Sequence, residues 1–273
     1  MANRSRASAV LCPRCGKLVS ADAEFCIHCG QKRPGAGGVR RWVRQAFGGE
    51  LRAVPALILM CAVLYVLSLL IDPGALLHPR GLAGFLAPSM GSLERLGMTG
   101  AVALFRGRWW TLITAIYLHG SLLHLIFNLL WIRQLGPMVE DLFGTPRLLL
   151  LFTVSGATGM LFSGLLGVAF TIGASGSIFG LMGALVSYGR RQSGLLGPLL
   201  YRQLLVWAMV LLAMGFFMPG VNNVAHVVGF GSGFLLAQTV GPQRKSTTRG
   251  GLRFATFVVI ALTALCFVLA VVA

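Results

Sequence analysis

The stretch RLLLLFTVSGATGMLFSGLLGVAFTIGASGSIFGLMGALVSYGR, residues 147–190, holds 42 consecutive uncharged residues between Arg147 and Arg190. A helix rising 1.5 Å per residue crosses a bilayer core about 30 Å thick in about 20 residues, so this stretch is long enough to cross twice. Its composition turns to Gly, Ser and Thr at residues 171–176 (TIGASG), which places a turn between two crossings. Residues 202–244 repeat the arrangement, with 41 uncharged residues interrupted by Pro219, Gly220, Asn222 and Asn223. Upstream lie apolar runs at residues 54–71 and about 119–135, and downstream one at 254–273, giving seven spans in all. Residues 72–108 are mixed, contain Gly and Pro, and are too irregular to cross lipid; they read as a structured extramembrane loop.

The bulk composition agrees. With 56% hydrophobic and 11% charged residues and a mean hydropathy of +0.80, the chain falls outside the soluble globular class. A net charge of +16 raises the question of nucleic acid, and the positions of the 23 basic residues answer it. Ten lie in residues 1–53 and the others punctuate the apolar runs, so no nucleic-acid partner is expected. The first 50 residues have no early apolar core and do not read as a cleaved signal peptide, so the N-terminus is expected to be retained. Cytoplasmic loops retain Lys and Arg. With the N-terminus inside, 19 of the 23 basic residues fall on the inner side, four lie in the long outer loop, and the two hairpin turns have none. The expectation is a multi-pass inner-membrane protein with its N-terminus cytoplasmic and its C-terminus outside.

In that topology three helices start at the outer face, and each carries polar residues within its first turns: His124 and Asn128 on span 2, Ser175 on span 4 and His226 on span 6. Taken singly, each has an ordinary reading, Ser175 as a small residue between packed helices, the His and Asn residues as satisfied hydrogen-bonding groups. Four polar side chains at one depth of a bilayer point instead to function, because each is costly there unless it faces the bundle or water. Serine becomes a nucleophile when a base takes its proton, and Ser175 with His226 supplies such a pair. No Asp or Glu lies at the outer ends of the spans after position 72; Glu140 and Asp141 fall at the inner end of span 2. The sequence therefore permits a dyad. Phe179, one turn below Ser175, is placed to hold the imidazole by stacking. The Asn128 amide, the His124 ring and the Ser175 backbone N–H are the candidate donors to an oxyanion. Gly176, Gly180 and Gly183 on span 4, with Ala225, Gly229 and Gly233 on span 6, would let the two helices approach closely.

HGSLLHLIFN (residues 119–128), GASGSIFG (173–180) and NNVAHVVGFGSG (222–233) closely resemble, in order and spacing, the three signature regions of rhomboid intramembrane proteases. The resemblance covers roughly residues 54–241. It implies an all-α polytopic membrane protein with a rhomboid-like six-helix core plus a seventh C-terminal helix. It further implies a serine endopeptidase that cleaves single-pass transmembrane proteins in or next to the membrane-spanning helix, with no cofactor for catalysis. By this resemblance Ser175 is the nucleophile, His226 the base, His124 and Asn128 belong to the oxyanion site, Phe179 packs against the base, Gly173 lies in the loop before the nucleophile, and His119 is structural. Many rhomboids carry Trp-Arg in the first outer loop where this chain has Trp110-Thr111. The alternative reading is a non-catalytic rhomboid-like protein that binds membrane clients, against which the intact Ser175 and His226 argue. A transporter would need intramembrane Asp, Glu or Lys, and HExxH and an intramembrane Asp pair are both missing.

At the N-terminus CPRC (Cys12, Cys15) and CIHC (Cys26, Cys29) form two Cys-x-x-Cys knuckles ten residues apart, each followed by Gly. Four thiolates suit tetrahedral Zn²⁺, and so short a segment lacks a core of its own, so a structural zinc ribbon is expected; a redox dithiol is the alternative. His28 reads as a bystander. Cys61 and Cys266 fall singly in apolar runs and read as packing residues. The expected organisation is a zinc ribbon at 1–33, open to a cytoplasmic protein partner, and a basic linker at 34–53 suited to anionic headgroups. The six-helix protease core follows at 54–241, then a basic loop and seventh helix at 242–273.

Overall fold

The computed structural model describes residues 9–12, 17–20, 23–31, 52–77, 81, 84–194, 196–218, 220–242 and 249–272. The chain divides into two compact units, residues 1–52 and 53–273.

In the first unit the strands β1 (Ala9–Leu11) and β2 (Leu18–Ser20) pair antiparallel, Val10 opposite Val19. Two backbone bonds of matching span follow Cys12 and Cys26. The Cys12 N–H donates to Lys17 O and the Cys26 N–H to Gln31 O, both at 2.8 Å, so each knuckle is closed by a bond to a carbonyl five residues on. Gly30 takes φ +71°, a conformation that glycine adopts without a Cβ clash, and its N–H reaches Cys26 O.

The second unit is helical: α1 (Ala53–Ile71), α2 (Met90–Arg95), α3 (Ala101–Phe105), α4 (Thr111–Thr114), α5 (Leu122–Phe143), α6 (Thr145–Leu165), α7 (Ser175–Arg191), α8 (Leu196–Phe217), α9 (Asn223–Val240) and α10 (Arg249–Val272). Five of these, α1, α5, α6, α8 and α10 (from Phe254), are long and apolar enough to cross a membrane. Their outward faces are hydrophobic, with Leu59, Leu70, Val206 and Phe257 each at least 60% exposed. Water would penalise such a surface and lipid does not, so the chain is an integral membrane protein. Helices α7 and α9 differ in kind. Helix α7 has 17 residues, of which 13 are buried, and it is packed by α5, α6, α8 and α9. Between lipid-facing helices, van der Waals contact among small residues replaces hydrophobic burial as the source of association.

The expected span at about 119–135 is corrected in its limits. The helix begins at Leu122, because the Ser121 hydroxyl accepts the His124 N–H and so caps it, leaving His119 outside. It runs on through Pro137 to Phe143, where Gly144 at φ +83° separates it from α6. The long stretch at residues 72–108 carries α2 and α3, and α4 follows at Thr111, all short elements held by tertiary contacts. Glu140 is buried near the end of α5, where its Oε1 accepts the Ala53 N–H at 2.6 Å and the Thr145 hydroxyl at 2.8 Å. It thereby satisfies an orphan donor in the first turn of α1.

Candidate active site

The loop from α6 to α7 sets the position of Ser175, and it is tied on several sides. Thr171 and Thr99 exchange backbone bonds in both directions, Ala101 N–H reaches Val168 O, and Gly173 N–H reaches Ala115 O at 2.9 Å. Asn222 adds a side-chain tie: Oδ1 accepts the Ala225 N–H and caps α9, while Nδ2 donates to Thr171 Oγ1 at 3.0 Å. One asparagine thus joins the start of α9 to the loop before Ser175. The sequence marks Asn222 as a turn residue at the head of the NNVAHVVGFGSG stretch; nothing local signals its partner 51 positions away.

Ser175 opens α7 and His226 lies in the first turn of α9, with His226 Nε2 2.9 Å from Ser175 Oγ. The glycines explain how two helices come so close. A Cβ on Gly229 would stand 2.2 Å from Gly176 O, and one on Gly233 would stand 2.0 Å from Gly180 O, so backbone faces backbone along the contact. Phe179 stacks on the His226 ring with centroids 4.3 Å apart and planes 13° from parallel. His226 Nδ1 is buried and has no hydrogen-bond partner among the described residues. The ring is therefore oriented by the serine hydroxyl and the phenyl face rather than by a carboxylate.

His124 stands one turn into α5, where its ring meets that of His119 edge-on at 5.1 Å, and its Nδ1 accepts the Gly120 N–H at 3.4 Å. Gly173, at φ +120°, lies against the same ring; a Cβ there would stand 2.7 Å from His124 Nε2. His119 is fully buried, with Nδ1 beside Tyr117 O. Asn128 is also buried, and its Nδ2 donates to His124 O at 2.7 Å while Oδ1 has no partner among the described residues. One of its two amide protons is thus committed to its own helix, which spacing alone does not reveal. The N–H groups of Ser175, Gly176 and Ser177 open α7; the first hydrogen bond of this helix is made by Ile178 to Ala174 O. An N-terminal helix turn of this kind attracts developing negative charge. Thr111 is fully buried; its hydroxyl donates to Arg108 O at 2.6 Å and lies 2.9 Å from Thr99 Oγ1, so it fastens the segment that carries α3 without a charge.

A cleft of about 650 Å³ separates α5 from α8, lined among others by Phe127, Trp131 and Gln134 on one side and by Gln203 and Trp207 on the other. Trp131 and Trp207 meet edge-on across it at 5.7 Å. The sequence reading passed over this feature, since each tryptophan looks like an ordinary lipid-facing residue until the helices are placed.

In the N-terminal unit the Cys12, Cys26 and Cys29 Sγ atoms lie within 4.8 Å of one another, with Cys12 and Cys29 at 3.6 Å. Tetrahedral zinc with Zn–S bonds of about 2.3 Å sets its sulfurs about 3.8 Å apart, so the three thiols fit a metal and carry no disulfide. Cys15 lies outside the described residues. Cys61 and Cys266 are buried and free in the helical unit.

A polytopic helical membrane protein with a serine and an imidazole paired across two glycine-packed helices is the class that this fold and site define. The rhomboid domain family matches residues 106–243, half of the chain, and a zinc-ribbon domain family matches residues 8–32. The chain belongs to the rhomboid family. It is similar to the Rhomboid protease GluP of Bacillus subtilis, 33% identical over 136 residues, which cover 50% of this chain and 27% of that protein. RHOMBOID-like protein 5 of Arabidopsis thaliana is 35% identical over 162 residues, 55% of this chain and 50% of that protein. The Putative rhomboid protease YdcA of Bacillus subtilis is 33% identical over 138 residues, 48% of this chain and 67% of that protein. The chain thus spans about a quarter of the first of these proteins and half of the second.

Proposed function

We propose that the chain is an intramembrane serine endopeptidase that cleaves single-pass membrane proteins in or next to their transmembrane helix, using Ser175 as nucleophile and His226 as its base. The observation that carries this reading is the 2.9 Å approach of His226 Nε2 to Ser175 Oγ under the stacked Phe179 ring. With the imidazole proton on Nδ1, Nε2 accepts the serine proton as Oγ attacks the peptide carbonyl. The resulting imidazolium returns that proton to the leaving amine, and water attacks the acyl-enzyme by the same relay. The oxyanion is met by the Ser175 backbone N–H, by the second amide proton of Asn128 and by the His124 ring, next to which Gly173 keeps the space clear. The α5–α8 cleft, with Phe127 adjoining Asn128 in sequence, supports entry of an apolar substrate segment from the lipid side. The non-catalytic client-binding alternative is not favoured, since it gives no reason for the Ser175–His226 pair.

The N-terminal unit is proposed to bind one structural Zn²⁺ through Cys12, Cys15, Cys26 and Cys29, and to offer a site for a cytoplasmic protein partner. The proposed location is the inner membrane, N-terminus inside. A fluorophosphonate probe tests the central claim: wild-type protein in detergent should be labelled at Ser175 and Ser175→Ala should not. Equal labelling of the two, or equal cleavage of a single-pass substrate by them in proteoliposomes, ends the serine-protease reading.

A further inference from the structure

Two asparagines stand together at the head of α9, and they have different partners. Asn222 caps the helix and ties it to the loop before Ser175. Asn223, the first residue of α9, turns to the other side: its Nδ2 donates to Leu212 O on α8 at 3.2 Å. Among the described residues this is the one side-chain hydrogen bond between α8 and α9. It is not a helix cap. The carbonyls that an α-helix leaves unpaired are its last four, those of residues 214–217 in α8, and Leu212 lies before them. Nor does the bond satisfy the whole amide, because Asn223 Oδ1 is buried and has no partner among the described residues. Helix α8 gives up a side chain to admit it: a Cβ on the buried Gly215 would stand 2.2 Å from that Oδ1. A glycine inside a helix and an unpaired buried acceptor both weaken a fold, so stability alone does not account for the arrangement.

What the tie holds is the start of the helix that carries the imidazole. His226 follows Asn223 by three residues, and its backbone N–H donates to Asn222 O. The chain between α8 and α9 turns at Gly220, φ +83°, and adds one backbone bond, from Val221 N–H to Met218 O. Asn222 therefore holds this end of α9 to the Ser175 side and Asn223 holds it to α8, so a shift of the first turn is opposed from two directions. Such a shift would lengthen the 2.9 Å approach of His226 Nε2 to Ser175 Oγ, across which a proton has to pass. We infer that Asn223 is a positioning residue for the reaction: in the room left by Gly215 it fastens the first turn of α9 to α8 and so sets His226 against Ser175. The inference rests on the protease reading and adds to it a residue hydrogen-bonded to neither member of the pair.

The test follows the full chain by three readouts: the rate at which a fluorophosphonate labels Ser175 in detergent, kcat and KM for a single-pass substrate in proteoliposomes, and the melting temperature. Asn223→Asp keeps the shape and loses the Nδ2 donor, while Asn223→Ala removes the side chain. Each should lower the labelling rate and kcat about tenfold, the weight of one hydrogen bond between neutral groups, with KM unchanged within about twofold. Gly215→Ala probes the same tie from the α8 side, also if neither Asn223 variant folds, and should show a similar loss because its methyl displaces the amide. Added to Asn223→Ala it should cost no more than about another twofold. Ser232→Ala is the comparison, since it removes a hydrogen bond of similar kind, with Thr158 Oγ1 at 2.8 Å, further along the same helix. It should lower the melting temperature and leave labelling of the folded protein within about twofold of wild type. Wild-type labelling rates in every folded variant at Asn223 and Gly215 overturn the inference. So does a rise in KM with labelling unchanged, which would assign the tie to substrate entry along α8. A loss in Ser232→Ala equal to that in Asn223→Asp would show general loosening of α9 in its place. Ser175→Ala separates the two levels. If wild type is labelled no faster than this variant, the protease reading fails and the inference with it; if wild type and Asn223→Asp are labelled alike and Ser175→Ala is not, the inference alone falls.

Discussion

Ser175 and His226 act as one unit if the proton relay is correct, and groups that act as a unit are non-additive. Ser175→Ala and His226→Ala should each abolish cleavage of a single-pass substrate in proteoliposomes, with the double variant no worse than either. Asn128→Ala removes one oxyanion donor of several, so kcat should fall by about 10²-fold or less, with activity remaining. Glu140 is the contrasting residue. Its carboxylate binds the Ala53 N–H and the Thr145 hydroxyl near the far end of α5, so its work is structural. Glu140→Ala leaves buried donors unpaired and should lower unfolding stability by about 1–3 kcal/mol, while Glu140→Gln, which keeps an acceptor, should lose less. Both should leave kcat of the folded fraction unchanged. Thermal melts in detergent beside single-turnover cleavage separate the two effects, and a kcat loss in the glutamine variant would place Glu140 in the chemistry.

At the scale of elements, the α7–α9 contact carries the site, because Gly176, Gly180, Gly229 and Gly233 bring backbone against backbone. A Cβ at Gly229 meets Gly176 O at 2.2 Å, a backbone atom that cannot turn aside as a side chain would. Gly229→Ala must therefore part the helices by about 1 Å, and a misplacement of that size costs about 10²-fold in rate. Gly231, two residues further on, has open space around its Cβ position, so Gly231→Ala should retain nearly full activity. Equal activity of the two variants would show that close approach of the helices is not what sets the Ser175–His226 distance. The glycine spacing was legible in the sequence, as were the hairpins, because unbroken apolar length and small residues four apart are local signals. The beginning of α5 was not: a capping serine at position 121 outweighs the polar motif that starts at His119. The short helices α2 to α4 were equally hidden, since elements of four to six residues have no periodicity to read and depend on tertiary contacts. The Asn222–Thr171 tie and the Trp131–Trp207 contact join residues far apart in sequence, so no single stretch announces them.

For the whole molecule, the division of basic residues sets an orientation that reporter fusions can read. With the N-terminus inside and seven crossings, a periplasm-dependent reporter fused after Ala273 should be active and a cytoplasm-dependent one silent. The opposite result would remove both the seven-span count and the common depth of the helix starts that carry His124, Ser175 and His226. The two compact units make a further prediction about division of labour. The thiols of Cys12, Cys26 and Cys29 converge within the first unit, while Ser175, His226, His124 and Asn128 all belong to the second. Protein purified without chelator should hold one zinc per chain by elemental analysis. Replacing Cys12, Cys15, Cys26 and Cys29 by Ser should release it, because a segment this short depends on metal for its fold. A fragment from Ala53 onward should still cleave a model substrate at a rate near that of the full chain, since Ser175, His226, His124 and Asn128 and the residues that hold them among the described residues, Thr99 and Ala101 included, all belong to the second unit. If the fragment is inactive yet melts like the parent unit, the ribbon takes part in substrate capture or in holding the active conformation. An absence of zinc in the intact chain would leave the cysteine cluster as a redox pair system instead.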